Sequence, residues 1–325
     1  MSAFAHALRL GMFLLRMQFA GSVLIGAAVI PHGDQAFDPF AATGCSDVSI
    51  HAKCLRLHSA SMVAGAFVSR HLDPQIIFLT TPHGLELGDD FLIYTNSHEE
   101  GRAPVGDVSH TQSYTVPFNF STDTSIAGEL LKRLRDQRFQ VQGLLGFSDS
   151  QPLPISWGEI LPLSFIWNSS HRAGKQLPQV VVMSVPYRRF NHSFEMVDEM
   201  LALGGAVSEV LESLPERVAW VVSSDLAHTH LASGPYGYCP CAQPFDDAVG
   251  TWLATLNGTA LLADAAAQQR RGAASCGFTG LVLLEGALQR TGSWHSNLWA
   301  NEHPTYYGMG VATLTRERAA PLIQV

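Results

Sequence analysis

Five short runs along the chain are apolar at nearly every position: Val23–Ile30, Ile76–Thr81, Phe91–Thr95, Val180–Val185 and Val218–Ser223. A strand that is apolar on alternate positions rests one face on a core. A strand that is apolar throughout is covered on both faces. Between these runs, helical patterns span about His51–Arg70, Ser125–Arg138, Phe194–Leu214, Asp246–Leu256, Ala260–Arg271 and Phe278–Gln289. This alternation predicts an α/β fold with a mostly parallel central sheet and helices on both faces. Asp107–Phe120 and Gln151–Ile166 read instead as antiparallel or loop insertions. No repeat, low-complexity tract or linker-like break interrupts the pattern, so one domain over residues 22–318 is expected.

Residues 1–21 read as an N-terminal extension. Arg9 and Arg16, with no acidic residue near them, fit an organelle transit peptide or an ordinary N-terminal helix. The expected localisation is therefore intracellular: cytoplasmic, or organellar through such a leader. The uncharged stretch Met17–Ile30 is too short and too glycine-rich for a membrane span. Of the 325 residues, 46% are hydrophobic and 15% charged, enough apolar content for a sizeable core. A net charge of −8 with only three lysines disfavours nucleic acid and anionic lipid as partners. Cys45, Cys54, Cys239, Cys241 and Cys276 are odd in number and scattered, which rules out disulfides as the organising principle. Cys239 and Cys241 read as loop or buried cysteines. The dinucleotide, P-loop, nucleophile-elbow and HExxH signatures are absent.

Candidate chemistry lies in the 14 histidines. Three polar clusters directly follow three predicted strands: Pro31-His32-Gly33-Asp34, Thr81-Pro82-His83-Gly84, and Ser223-Ser224-Asp225-Leu226-Ala227-His228-Thr229-His230. Residues just past the C-terminal ends of parallel strands converge on one edge, where open α/β sheets bind ligands. One such histidine is ordinarily a hydrogen-bonded turn residue; three in matching contexts point to a site. Neutral imidazole is a common metal ligand, and a histidine off the metal suits acid/base work. Two histidines with a carboxylate would make an open site for Fe(II) and O2. A thiolate as third ligand would suit zinc.

These clusters occur in order with Gly234-Pro235-Tyr236-Gly237-Tyr238, Phe245-Asp246, Cys276-Gly277-Phe278, Leu284-Glu285-Gly286-Ala287-Leu288 and Tyr306-Tyr307-Gly308-Met309-Gly310-Val311. The set resembles the class III extradiol ring-cleavage dioxygenases, the LigB-like superfamily that also includes Memo-type proteins. The resemblance spans roughly Val23 to Thr315. It implies an α/β fold and a non-haem ferrous centre, with zinc as the alternative metal. By the resemblance His32 and His83 are metal ligands, and His228 shuttles a proton between a catecholic substrate and oxygen. Asp225 is expected to orient a neighbouring histidine or cap a turn. Trp157, His230 and Tyr236 are the expected substrate-binding residues.

Two departures matter. Many relatives carry Glu immediately before the Cys-Gly pair, where this chain has Ser275; Memo-type relatives place a cysteine at the position of Cys276. The third ligand is then Cys276, or a carboxylate such as Glu285 or Glu302. Trp157 stands where several relatives have a histidine. Tryptophan stacks on a ring but cannot donate and accept as imidazole does. The activity implied is oxygen-dependent opening of a small dihydroxy-aromatic ring. The alternatives are a Memo-like metal- or peptide-binding protein without that activity, and a zinc hydrolase or lyase on the same scaffold. The expected partners are a small aromatic substrate and O2, with a homo-oligomer left open.

Overall fold

The computed structural model describes residues 24–41, 45, 47–106, 113–175 and 177–316. The extension 1–21 and its transit-peptide reading lie outside the described residues. Eight strands form the main sheet: β1 (Leu24–Ile30), β2 (Ile76–Thr81), β3 (Phe91–Tyr94), β6 (Val141–Leu144), β8 (Gln179–Ser184), β9 (Val218–Ser223), β10 (Trp294–Glu302) and β11 (Met309–Arg316). Their order is β10-β11-β1-β9-β2-β8-β3-β6. The central neighbours β1, β9, β2 and β8 run parallel. β3 is antiparallel to β8, and the edge pair β10–β11 is antiparallel, as is β11 to β1. A second sheet joins β4 (His98–Val105), β5 (Tyr114–Ser121) and β7 (Leu153–Ile155) in the order β5-β4-β7.

Successive residues of the central strands feed two different cores, as a sheet covered on both faces requires. Phe78, Met183 and Trp220 enter one core. Helices α2 (Thr124–Asp136), α4 (Val197–Leu211), α5 (Ala242–Thr255) and α6 (Phe278–Arg290) close it. Ile77, Val182 and Val221 enter the other, which α1 (Val48–Ala66), α3 (Trp157–Arg172) and the small sheet cover. Asp47 and Asp123 cap α1 and α2 by accepting from backbone N–H groups of the first turn, each cap contributing about 1 kcal/mol. Two glycines let α4 and α6 approach closely. A Cβ on Gly204 would lie 1.9 Å from the Leu283 carbonyl, and one on Gly286 2.3 Å from that of Leu201. That crossing seats α6, and with it the loop that precedes the helix.

The five predicted central strands form within a residue or two of their expected limits. Of the stretch Asp107–Phe120, read as an antiparallel or loop insertion, the part from Tyr114 on lies in β5, antiparallel to β4; residues 107–112 lie outside the described set. The insertion read at Gln151–Ile166 is corrected: only Leu153–Ile155 is strand, and Trp157–Arg172 is helix. Most of α3 is buried, so no polar stripe marks its period. Its start carries a local signal that the sequence reading passed over: Ser156 and Glu159 form a capping box in which Glu159 accepts from the Ser156 N–H at 3.1 Å. To the reading of Cys239 and Cys241 as loop or buried cysteines the structure adds a bond between them. Cys45–Cys54 and Cys239–Cys241 are disulfides, and Cys276 is the free, buried thiol. The bridges span nine and two residues in sequence, so they staple loops and leave the fold to its cores. Among the described residues no helix is long and apolar enough to cross a membrane.

Candidate metal centre

β9 lies between β1 and β2, and all three run the same way. Their C-terminal ends therefore deliver His32, His83 and the segment 224–230 to one edge of the sheet. The α6 N-terminus closes on them: Gly277 N–H donates to the Asp225 carbonyl at 3.0 Å. A Cβ at Gly277 would lie 1.9 Å from Ser224 Oγ, so glycine is what allows the loop to press this close.

His32 is held in one tautomer. Pro162 has no N–H to bond the Gly158 carbonyl four residues earlier, so that carbonyl is free of the helix ladder. It accepts from Ser223 Oγ at 2.6 Å. With its proton committed there, Ser223 Oγ accepts from His32 Nδ1–H at 2.9 Å. The lone pair of His32 then sits on Nε2, the nitrogen that faces Cys276 Sγ at 3.4 Å and Asp225 Oδ2 at 3.3 Å. The His83 ring lies edge-on to His32, centroids 4.8 Å apart. Ser156 Oγ steadies the His83 loop by donating to the His83 carbonyl at 2.8 Å. Ligand atoms of His32, His83 and Cys276 all lie within 4.8 Å of one another, the one such group among the described residues.

The electrostatics of this cluster favour uncharged side chains. Burial holds His32 well below the usual imidazole range, aided by His83, His228 and Arg189. Burial, then Arg189 and His228, push His83 down to about 3. Burial pushes the Cys276 thiol up, and Asp225 adds to the effect. Burial likewise raises Asp225 to about 8, against its bonds from the His32 and Gly33 N–H groups. His32 Nε2 and the Asp225 carboxylate are two acceptors turned toward each other. A proton on Asp225 reconciles them, as would a shared cation. Two neutral imidazoles and a buried thiol form a donor set that fits a divalent metal ion such as Fe(II) or Zn(II).

His228 stands beside this group and not in it. Its Nδ1–H donates to the Leu226 carbonyl at 2.7 Å, leaving the Nε2 lone pair available. Its ring stacks on Tyr307, centroids 5.6 Å apart at 24°. Burial lowers it to about 4, so the imidazole is neutral at pH 7. The loop that carries it is braced by Asp246, a residue quoted in the sequence pattern and given no role there. Asp246 Oδ1 accepts from Ala227 N–H at 3.0 Å, and Oδ2 pairs with His230 Nε2 at 2.7 Å. His230 is not among the residues that line the cavity; Asp246 holds its ring, which stacks on His303 with centroids 4.1 Å apart.

A cavity of about 330 Å³ opens beside His32, His83 and His228. Trp157, Tyr236, Tyr306 and Tyr307 line it. Trp157 tilts over His83 at 5.3 Å between centroids. The alternative carboxylate ligands are elsewhere. Glu285 accepts from the buried Trp252 Nε1–H at 2.7 Å, and Glu302 pairs with Arg56 at 2.6 Å. Ser275 donates to the Asp225 carbonyl at 3.0 Å and accepts from the Phe278 N–H at 3.2 Å, which sets the first turn of α6.

No family model matches the chain. A Clostridium acetobutylicum protein described as Protein CA_C1420 is 23% identical over 185 residues, 53% of this chain and 34% of that protein. The match thus spans about a third of that relative's length. The solved structure of the uncharacterized protein JW3007 from Escherichia coli K12 is similar with a TM-score of 0.52 at 12% identity. The similarity covers 89% of this chain and 99% of that one. At that identity the likeness is one of fold alone.

Proposed function

We propose that the chain is a metal-dependent enzyme of the LigB-like superfamily that its motifs resemble. Its reaction in this reading is extradiol-type opening of a small dihydroxy-aromatic ring. The observation that carries the reading is the convergence of His32, His83 and Cys276 beside an aromatic-walled cavity, with His228 next to them. A ferrous ion held by those three side chains would supply a chelation point for two ring oxygens and open positions for O2. Neutral His228 accepts the proton of a ring hydroxyl at Nε2 and returns it later in the cycle. Tyr307 keeps its ring in plane, and Asp246 holds the loop beneath it. Trp157 offers the substrate ring a stacking face.

Cys276 favours a second reading. A thiolate in the ligand set suits zinc, and with zinc the same site would run a hydrolytic or lyase reaction. Metal analysis of protein purified without oxygen, followed by oxygen uptake with a panel of catechols, separates the two. Stoichiometric iron with catechol-dependent uptake supports ring opening. Stoichiometric zinc without uptake moves the function to the second reading. The intracellular setting stays part of the proposal, and the two disulfides favour an oxidising compartment over the cytoplasm.

A further inference from the structure

The Cys239–Cys241 bridge closes over a single residue, Pro240. A disulfide takes most from the unfolded chain when its loop is long, so this one adds little to the stability of the fold, and little is lost by opening it. Its two sulfurs are unequally placed: Cys241 is fully buried, while Cys239 is half-buried. Cys45 and Cys54, in the other bridge, are both buried, which shields their sulfurs from a reagent in solution. Cys241 is also the N-cap residue of α5, and bonded to Cys239 its side chain caps nothing. Negative charge that develops on its sulfur meets the N–H groups of the first turn. Cys239 has a resting place when reduced: its Sγ lies 3.7 Å from the Arg271 carbonyl, to which a thiol can donate and a disulfide cannot.

The pair forms the stem of the loop 231–238, which carries Tyr236 on the cavity wall. Cys239 N–H donates to the Thr229 carbonyl at 2.9 Å, and Thr229 Oγ1 donates to the Gly272 carbonyl at 3.2 Å. His228 N–H donates to the Ala273 carbonyl at 2.8 Å. Tyr236 meets the His228 ring edge-on, centroids 5.7 Å apart. The bridge therefore sits where the loop, the His228 segment and the chain leading to Cys276 are joined.

We infer that Cys239–Cys241 is a reversible dithiol–disulfide pair, opened by an external dithiol, whose state sets how firmly the Tyr236 wall of the cavity is held. The attacking thiolate bonds to Cys239 Sγ, the more accessible sulfur, and the Cys239–Cys241 bond breaks. Its electron pair stays on Cys241 Sγ, which takes a proton. The second thiol of the reagent, as thiolate, then displaces Cys239 Sγ from the mixed disulfide, and Cys239 takes a proton to become a thiol. Two electrons and two protons have passed to the pair, and the external dithiol has become a disulfide. Neither metal nor ring opening enters this chemistry, so it stands apart from the function proposed above.

The test uses the full chain purified in air and kept folded. It is incubated with dithiothreitol, quenched in acid, alkylated and mapped by mass spectrometry. Cys239 and Cys241 are expected to become alkylated together, at least about tenfold faster than Cys45 and Cys54. Glutathione disulfide should then restore the bridge. On reduction, hydrogen exchange should quicken in residues 231–239 and stay unchanged in β1 and β9. Cys241→Ser should trap glutathione on Cys239, whereas Cys239→Ser should leave a thiol that alkylation does not reach until the chain unfolds. The unmodified protein decides the point where either variant does not fold. Opening of both bridges at one rate, or of this one only on unfolding, overturns the inference, as do two free thiols that glutathione disulfide does not join. Opening without faster exchange in residues 231–239 overturns the control of the wall.

Discussion

Replacing Ser223 by Ala should weaken metal binding at the proposed centre without touching a proposed ligand. Ser223 is fully buried and makes two bonds that depend on each other: it donates to Gly158 at 2.6 Å and accepts from His32 Nδ1–H at 2.9 Å. Alanine leaves a carbonyl and a ring N–H without partners in the interior. Each orphan costs about 1–3 kcal/mol, so the metal-free variant should melt several degrees lower. The second effect is specific to the histidine. Freed from Ser223, the ring proton is no longer pinned at Nδ1, and the tautomer protonated at Nε2, the nitrogen 3.3 Å from Asp225 Oδ2, becomes populated. A neutral imidazole protonated there has no lone pair for a metal. Loss of such an orienting partner weakens metal binding by about 10–100-fold. Competition for Zn(II) against a colorimetric chelator at pH 7 reads that loss, and melting of the metal-free protein reads the first effect separately. A variant that melts early but binds Zn(II) within about threefold of the unmodified protein would refute the tautomer argument and leave Ser223 a packing residue.

Three other changes probe the same frame. Cys276→Ala should abolish stoichiometric metal binding, seen by elemental analysis after dialysis; full metal content would remove the thiol from the ligand set. His228→Gln should keep the metal and lower turnover about 10²–10⁴-fold, whereas metal loss in that variant would make His228 a ligand. Glu99 is buried in β4, and burial raises it to about 8, opposed by the Thr122 hydroxyl. Because the folded value lies above the unfolded one of 4.5, stability is full below that pH and is lost as pH rises toward 8. Denaturant titrations of the metal-free protein at pH 5 and pH 8 should show Glu99→Gln losing less stability across that interval; equal losses would remove Glu99 as the cause.

The strands, and the three histidines at their ends, were legible because each strand is a short apolar run stopped by Pro-His-Gly or by Ser-Ser-Asp. What placed them together, the insertion of β9 between β1 and β2, is a pairing between distant segments that no local pattern encodes. Helix α3 was hidden by its own burial, since a helix surrounded by protein has no polar face to show. β11 entered the sequence reading only through the Tyr306–Val311 motif, and β10 was not read as a strand. Cys276 stayed one of several candidate ligands until the seating of α6 against Asp225 brought it to His32. His230 lies two residues from the cavity-lining His228 yet does not line the cavity itself, because Asp246, sixteen residues on, holds its ring. Ser223 carried no signal as a tautomer lock. Its role exists only because Pro162, on another element, releases the carbonyl it binds.

The position of β9 between β1 and β2 also sets when the site can exist during folding. β1 and β2 are joined by the segment that carries α1, yet they do not pair in the sheet; the strand that unites them is made almost 200 residues after the first. His32 and Ser223 are 191 residues apart in the chain, and His32 and Cys276 are 244 apart. Contacts of such separation form late, after much chain entropy has been spent. A chain emerging from the ribosome therefore carries both imidazoles for most of its synthesis with no centre to hold an ion. Acquisition of metal would mark completion of the fold, and a fragment ending before β9 would lack it however much of the sequence pattern it retains.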